Sequence, residues 1–432
     1  MNLSEKLKAY MGKNENRDGV NSYDKEKANF KSGDFSQAQK NELICRILNT
    51  APVKTPLGEH LMAVSSYEDA FCHAGMRLSN IFEIPPEIVG LIAKDSDYNN
   101  FNFTKAVFID TETTGLAGGS GTYAFLIGAG YFEKKKFKLL QYFMRDYNEE
   151  PAVLHSLKDL LKEFESVVSF NGKAYDIPLL STRFLINRME NPMEKPFHLD
   201  LLSSARRLYK ERLVSVSLSS LEANLFSLER EGDIPSFEIP SIYFRFLRDK
   251  NPYPLKPIFY HNRMDILSLV TLVIKMAGAL KDPLCSDGCS DQDFYCLGRI
   301  FEDMEIFEES IKCYLKALEI PGVSEKAYFR LSLLYKRLGR WDEAQELWLK
   351  MAEDNIHTAF ALVELAKVYE HRTKDYTKAE QATRRALELA YKKKGLLGFS
   401  PEQEIQELKK RLERILSKQG KATSQLNFFN SV

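Results

Sequence analysis

The sequence predicts two kinds of architecture in one chain: a mixed α/β sheet with flanking helices, followed by an all-α array of repeated helix pairs. From about residue 101 to 283, strand-like apolar segments come first, and helical and strand patterns then alternate, which is typical of a sheet covered by helices. Beyond about residue 290, apolar residues instead recur at a constant long interval. A chain of 432 residues is long enough for two or three domains.

Three strands open the α/β domain, at residues 105–110, 122–132 and 137–143. Because only the short charged segment 133–136 separates the second from the third, we expect an antiparallel meander. Helices and strands alternate after it: a helix at 151–164, a strand at 167–170, and helices at 174–189, 199–209, 217–226, 239–248 and from 254 or 259 to 280.

The segments before this domain carry less information. Residues 1–38 are polar with little apolar periodicity, which predicts a mobile arm. Residues 39–100 form a lead-in segment to the α/β domain. It contains a candidate helix at 38–48, and its role is not evident from the pattern.

The last third of the chain repeats with a period of 34 residues. One apolar and one aromatic position recur at this interval, and a small residue recurs at 34 and then 35: Leu297, Leu331, Leu365; Phe301, Tyr335, Tyr369; Ser310, Ala344, Ala379. This period is that of tetratricopeptide repeats, so we expect three repeats at 290–395, with a concave surface for a protein or peptide partner. A generic helical bundle is the alternative. Residues 396–432 would supply a capping helix and a polar tail.

Composition excludes several classes of protein. Lys plus Arg and Asp plus Glu both number 60, so nucleic-acid binding would need a local groove and metal ions rather than global charge. No apolar run approaches the roughly 20 residues of a membrane span, and we predict a cytoplasmic protein. Cys285, Cys289 and Cys296 lack a fourth zinc ligand nearby, and the glycine-rich loop 117–121 lacks the lysine and following helix of a phosphate-binding loop.

Two carboxylates at the end of the first strand are the main chemical signal. Asp110 ends the apolar run 106–109, and Glu112 follows two residues later. Side chains at i and i+2 of a strand share a face, so both carboxylates can point at one spot. Their repulsion requires a cation between them or a raised pKa, and oxygen ligands suit Mg²⁺ or Mn²⁺. The alternative is a pair of solvated residues where the strand leaves the sheet.

Further candidates follow at the ends of later elements. Asp176 falls in the first turn of a helix after the strand at 167–170. Asp200 precedes another helix, as an N-cap or as support for a metal site. His261 and Asp265 are four residues apart and therefore share a helical face.

These segments together resemble the DEDD superfamily of 3′→5′ exonucleases, which have a ribonuclease-H-like fold. DTETTGL carries Asp110 and Glu112, N-x3-Y-D carries Asn171 and Asp176, and H-x3-D carries Asp265. With LSSLE at 218–222 and GDIP at 232–235, the chain looks most like the YprB family of bacterial exonuclease-like proteins with C-terminal tetratricopeptide repeats. The resemblance covers roughly residues 50 to 395.

The resemblance implies a metal-dependent 3′→5′ exonuclease in which Asp110, Glu112, Asp176 and Asp265 bind two Mg²⁺ or Mn²⁺ ions and a single-stranded 3′ end is hydrolysed. The family's general base is a Tyr four residues before the last Asp or a His five before it, whereas this chain has His261 at minus four and Tyr260 at minus five. A helix turns 100° per residue, so minus four lies nearer the face of Asp265. We therefore favour His261 as the base.

Contacts to the terminal nucleotide are also expected from the resemblance. The residues that would line its pocket follow the first motif or belong to the second: Thr113, Thr114, Gly115, Leu116, Asn171 and Tyr175. Candidate phosphate contacts are the basic residues Lys173, Arg183, Arg206 and Arg207. Two other functions remain open: a nucleic-acid-binding protein with little turnover, and a scaffold that works through its repeats.

Overall fold

The computed structural model describes residues 36–115, 121–284, 291–394 and 402–429. Within them the chain divides into two compact units. The N-terminal unit comprises the described residues up to 205 together with 215–277, and the C-terminal unit comprises 206–214 and those from 278 onward. Predictions for residues 1–35 of the N-terminal arm, for 117–120 of the glycine-rich loop, and for Leu116, Cys285 and Cys289 fall outside the described residues.

In the part of the chain that the structure describes, nine strands form a seven-stranded sheet and a small two-stranded one. In chain order they are β1 (Ala51–Thr55), β2 (Gly58–Tyr67), β3 (Cys72–His73), β4 (Met76–Arg77), β5 (Ala106–Thr113), β6 (Ala124–Glu133), β7 (Lys136–Phe143), β8 (Ser166–Ser169) and β9 (Phe197–Asp200). The large sheet has the order β1-β2-β7-β6-β5-β8-β9.

Strand directions confirm the predicted meander. β5, β6 and β7 are antiparallel neighbours, and β8 and β9 continue the sheet parallel to β5. β1 and β2 were not anticipated from the sequence, yet β2 pairs with β7 and extends the sheet on that side. The sheet is therefore mixed, with its parallel part at one side and its antiparallel part at the other.

The described residues also contain a set of α-helices. In chain order they are α1 (Gln37–Leu48), α2 (Pro86–Ala93), α3 (Glu150–Leu161), α4 (Asp176–Ile186), α5 (Leu201–Tyr209), α6 (Leu218–Phe226), α7 (Ile239–Asp249), α8 (Lys256–Lys281), α9 (Phe294–Asp303), α10 (Phe307–Ala317), α11 (Ser324–Arg337), α12 (Trp341–Glu353), α13 (Thr358–Val368), α14 (Tyr376–Lys394) and α15 (Glu402–Phe429). The helix predicted from residue 199 starts later, because 197–200 form β9.

Alternation along β5 decides where its polar residues point. Val107 and Ile109 join the apolar core that also contains residues of α1, α3, α4 and α7. Phe108, on the opposite face, packs against Phe132 and Phe137. Because the side-chain period of a strand is two, Asp110 and Glu112 share the face of Phe108.

Two glycines on β6 let α8 lie close to that face. A Cβ atom added to Gly128 would lie 2.5 Å from Asn262 Oδ1, and one added to Gly130 would lie 2.5 Å from Ile266 Cγ2. Both distances are too short for a real contact, so only glycine permits this packing. The helix that carries His261 and Asp265 is thereby placed against β6, the neighbour of the strand that carries Asp110 and Glu112.

The C-terminal unit is helical, and its helices pack against their neighbours along the chain. The small residues Ser310, Ala344 and Ala379 are fully buried, as expected for positions where helices approach closely. Cys296 is also buried, and burial raises the pKa of its thiol to about 12, so it is an inert core residue.

Candidate metal centre

Four carboxylates converge beside β5: Asp110, Glu112, Asp176 and Asp265, called the acid cluster below. Burial raises the pKa of Asp110 well above its ordinary value, and the charges of Asp265, Glu112 and Asp176 raise it further. The pKa of Glu112 is raised to about 8, chiefly by burial. Repulsion by Asp265 and Asp176 also raises it, whereas the charge of His261 lowers it. Residues separated by up to 155 positions in sequence thus share one small volume.

Asp110 is held in place by a buried amide chain. Asn262 Nδ2 donates to Asp110 Oδ2 at 2.8 Å and to the Asp110 carbonyl at 3.2 Å. Asn262 Oδ1 accepts from Gln141 Nε2 at 2.9 Å, and Gln141 also donates to the Phe259 carbonyl. Gln141 and Asn262 are almost completely buried. The side chain of Asp110 is therefore fixed by α8 and β7 before any ligand binds.

Asp176 reaches the cluster because the chain turns sharply after β8. Asn171 has a positive φ of 65°, which Asn tolerates better than most residues. A Cβ on Gly172 would lie 2.4 Å from Ser169 Oγ. This turn places Asp176 at the first residue of α4, where Thr111 Oγ1 donates to its Oδ1 at 2.5 Å. Burial nevertheless raises the pKa of Asp176 to about 6.

Asp200 is the N-cap of α5, the first of the two roles expected for it. Its Oδ1 accepts from the Leu202 backbone N–H at 3.1 Å, the interaction of a helix cap for α5. The same carboxylate accepts from the Asn171 and Lys173 backbone N–H groups at 2.8 and 3.0 Å. Asp200 therefore fixes the turn that delivers Asp176.

His261 and Asp265 face the cluster from α8. Glu112, His261 and Asp265 each offer one ligand atom, and these atoms lie within 4.8 Å of one another. Burial alone would lower the pKa of His261, but its hydrogen bond to Asp233 and the charges of Asp265 and Glu112 raise it to about 9. Tyr260 is the alternative base. The guanidinium carbon of Arg263 lies over its ring, 5.7 Å from the ring centroid.

Arg230 was missed in the sequence analysis. Its Nη2 donates to Asp265 Oδ1 and to Glu222 Oε1, both at 2.5 Å. Its Nη1 lies 3.3 Å from Asp233 Oδ2, and Asp233 Oδ1 lies 2.8 Å from His261 Nδ1. The only sequence signal was the presence of LSSLE, which ends at Glu222, and GDIP, which contains Asp233; no periodicity connects either segment to the cluster.

Two cavities open on the cluster. The larger, about 500 Å³, is lined by Asp110 and Asp176 and by Thr113, Gly115, Asn171 and Tyr175, four of the residues expected to contact a nucleotide. The smaller, about 190 Å³, is lined by Glu112, His261 and Asp265.

Two residues with predicted substrate contacts have other partners. Thr114 Oγ1 accepts from the Tyr123 backbone N–H at 3.0 Å, which holds the end of β5 to the chain before β6. Arg183, a candidate phosphate contact, is buried and donates to both oxygens of Glu150 at 2.6 Å, so its charge is neutralised inside the fold.

Comparison with known proteins decides the family. The RNase H superfamily profile matches residues 107–277. The protein YprB of Bacillus subtilis strain 168, described as uncharacterized, is 33% identical over 291 residues, which span 66% of this chain and 70% of the relative. The chain belongs to the family of YprB and contains a domain of the RNase H superfamily. The matched residues begin in β5 and end in α8, so the superfamily region contains all four members of the acid cluster. Among the described residues, no helix is both long and apolar enough to cross a membrane.

Proposed function

We propose that this protein is a metal-dependent 3′→5′ exonuclease that hydrolyses phosphodiester bonds at nucleic-acid 3′ ends. The observation that carries the proposal is the convergence of four carboxylates, whose mutual repulsion raises the pKa of Asp110 and of Glu112. A structural ion pair would lower the pKa of its acid, whereas these groups repel, which is the electrostatic signature of a site built for cations. Membership of the RNase H superfamily, which suggests a nucleic-acid hydrolase, agrees with it.

The donor set fits hard divalent ions. Asp110, Glu112, Asp176 and Asp265 offer only oxygen atoms, which suit two Mg²⁺ or Mn²⁺ ions. Bound divalent ions would supply Lewis-acid stabilisation of the charge that develops on the phosphate oxygens. The protein contributes rigidity, because Asn262, Thr111 and Arg230 already hold three of the four carboxylates.

His261 would accept the proton of the attacking water. Its Nδ1 is engaged by Asp233, so Nε2 is the ring nitrogen that faces Asp265, at 3.5 Å from Oδ2. Asp265 and Glu112, two of the carboxylates that raise its pKa beside Asp233, are among those that would pair with cations, so neutralising the cluster would remove part of that shift. The terminal nucleotide would bind in the 500 Å³ cavity. The residues that would contact it are Thr113, Thr114, Gly115, Leu116, Asn171 and Tyr175.

The Arg230–Asp265 ion pair favours a second candidate, a nucleic-acid-binding protein with little turnover. One oxygen of Asp265 already has a cationic partner, which reduces the charge available to metal ions.

In either case the C-terminal helices would form three tetratricopeptide repeats at 290–395 that dock a protein or peptide partner, a proposal that rests on the 34-residue period.

The test is strand degradation under metal titration. Single strands of DNA and RNA, labelled at the 5′ or the 3′ end, are incubated with the full chain and increasing Mg²⁺ or Mn²⁺. We expect 5′-labelled strands to shorten progressively and 3′ label to be released as mononucleotide. Asp110→Ala should reduce the rate at least about 1,000-fold, because metal ions stabilise the transition state by several kcal/mol.

Asp159→Ala is the matched control, since Asp159 is an exposed acid on α3 that pairs with Lys162. Its rate should equal that of the wild type. Metal-independent binding without shortening would support the second candidate, and internal fragments from 5′-labelled strands would contradict exonuclease action.

A further inference from the structure

A buried network lies next to the acid cluster. Arg230 is its centre, with 6% of its side chain exposed, and it contacts Glu222, Asp233 and Asp265. Glu222 lies on α6, Asp265 lies on α8, and Asp233 follows Arg230 in the segment between α6 and α7. A single guanidinium therefore joins three parts of the chain, and this use of a planar group with five donors is specific to arginine.

The network is satisfied on the side away from the cluster. Glu222 Oε2 accepts from Arg230 Nε at 2.8 Å, and Glu222 Oε1 also accepts from Ser268 Oγ. Ser268 Oγ lies 3.0 Å from His73 Nε2. Burial, aided by the charge of Arg230, lowers the pKa of His73 to about 4, so this ring is neutral. The Glu222–Arg230 pair is thus complete without help from the acid cluster.

The additional contacts of Arg230 reach the two functional residues of α8. The guanidinium holds Asp265 Oδ1 at 2.5 Å, which leaves Oδ2 on the side of His261. It also contacts Asp233, whose other oxygen holds His261 Nδ1 at 2.8 Å. The Arg230 side chain therefore sets the side-chain conformations of both Asp265 and His261.

We infer that Arg230 is a positioning residue: through Asp265 Oδ1 directly and through Asp233, it turns Asp265 Oδ2 and His261 Nε2 toward the other acids of the cluster. The inference rests on the proposed function, in which the acid cluster binds the metal ions. Outer partners of metal ligands commonly change metal affinity or activity by about 10–100-fold when they are removed. Because Arg230 occupies Asp265 Oδ1, only Oδ2 of this carboxylate is left to bind a metal ion.

The decisive variant is Arg230→Lys, because it keeps the charge and removes the forked donor geometry. We expect Mn²⁺ affinity, measured by calorimetry without nucleic acid, to fall about 10-fold. The kcat for strand shortening should fall by a similar factor, while KM for the strand changes less than about twofold. Arg145→Lys is the matched control: this arginine also pairs with two carboxylates, Glu149 and Glu59, and its side chain is 11% exposed.

Asp233→Asn is the second variant, in case Arg230→Lys does not fold, since Asp233 is less buried than Arg230. It should lower kcat without changing KM. Wild-type Mn²⁺ affinity and kcat in Arg230→Lys would overturn the inference, because charge alone would then suffice. Tighter Mn²⁺ binding with faster turnover would overturn it too, since Arg230 would then be a competitor of the metal. A wild type that binds Mn²⁺ but cleaves no strand contradicts the proposed function alone, and the calorimetry still decides the inference.

Discussion

The acid cluster and a single buried carboxylate of the C-terminal unit, Glu370, have opposite electrostatics. In the N-terminal unit, the acids of the cluster face one another, and the pKa of Glu112 is raised to about 8. In the C-terminal unit, Glu370 accepts hydrogen bonds at 2.6–2.9 Å from Arg411, Arg414 and Lys418 of α15. Burial alone would raise the pKa of Glu370, but Arg414 and Lys418 lower it to about 2.

This difference in charge compensation distinguishes a candidate metal site from an ion-pair network that stabilises the fold. Glu370 has all its charge compensated by side chains of its own unit, so it ties α15 to the π-helical segment Tyr369–Thr373 between α13 and α14. The acid cluster has more negative charge than its neighbours compensate, and the arrangement costs folding free energy. A fold keeps such an arrangement where an external cation completes it, which is why we assign chemistry to the first group and stability to the second.

Asp110→Asn should have the largest effect of the substitutions that test this comparison. We expect Mn²⁺ affinity to fall at least about 100-fold, since the loss of an outer partner alone costs about 10–100-fold. The metal-free protein should be as stable or more stable, because a buried charge that repels three others is removed. Calorimetry measures the first effect, and hydrogen exchange of residues 106–113 measures the second.

Asp159→Asn provides the control for an exposed acid whose partner is Lys162, and neither measurement should change. An Asp110→Asn protein with wild-type Mn²⁺ affinity, or with faster exchange in β5, would show that Asp110 is a structural residue like Glu370.

Glu370→Gln tests the other side of the comparison. It removes the charge that three cations share, and we expect the C-terminal unit to lose about 1–2 kcal/mol, less than a fully buried pair because Arg414 and Lys418 are partly exposed. Both tryptophans of the chain, Trp341 and Trp348, lie in this unit, so urea unfolding followed by tryptophan fluorescence reports on it selectively.

The control is Glu380→Gln, which removes an i,i+4 surface pair with Arg384 and should change stability by less than about 0.5 kcal/mol. Mn²⁺ affinity should stay at the wild-type value in both variants. A Glu370→Gln protein with unchanged unfolding would mean that its three ion pairs contribute nothing.

The sequence predicted the cluster better than its surroundings, for a physical reason. Asp110, Glu112 and Asp176 stand at the ends of strongly patterned elements, so the edge of the sheet at which they meet follows from local periodicity. Arg230 and Asp233 lie in a segment with neither strand nor helix periodicity, and their contacts depend on how that segment folds over α8. β1 and β2 were missed because their burial alternates weakly, with many exposed residues.

The third prediction concerns pH and has the smallest effect. The pKa of Glu112 rises from 4.5 to about 8 on folding, and that of His261 rises from 6.5 to about 9. Between pH 6.5 and 8.5 the folded state therefore binds more protons than the unfolded chain, and the free energy of unfolding must fall as pH rises. Glu370, whose pKa is lowered to about 2, loses its contribution only in acid and stays constant over this range.

We therefore expect metal-free protein to lose hydrogen-exchange protection in β5 from pH 6.5 to 8.5, after correction for the intrinsic exchange rate, while the tryptophan-detected unfolding of the C-terminal unit changes less. Saturating Mg²⁺ should remove the trend in β5, because metal binding displaces the same protons and its affinity rises with pH. Glu112→Gln should weaken the trend, since it deletes one of the two groups. Protection that rises with pH would mean that the cluster is already compensated, and the contrast with Glu370 would disappear.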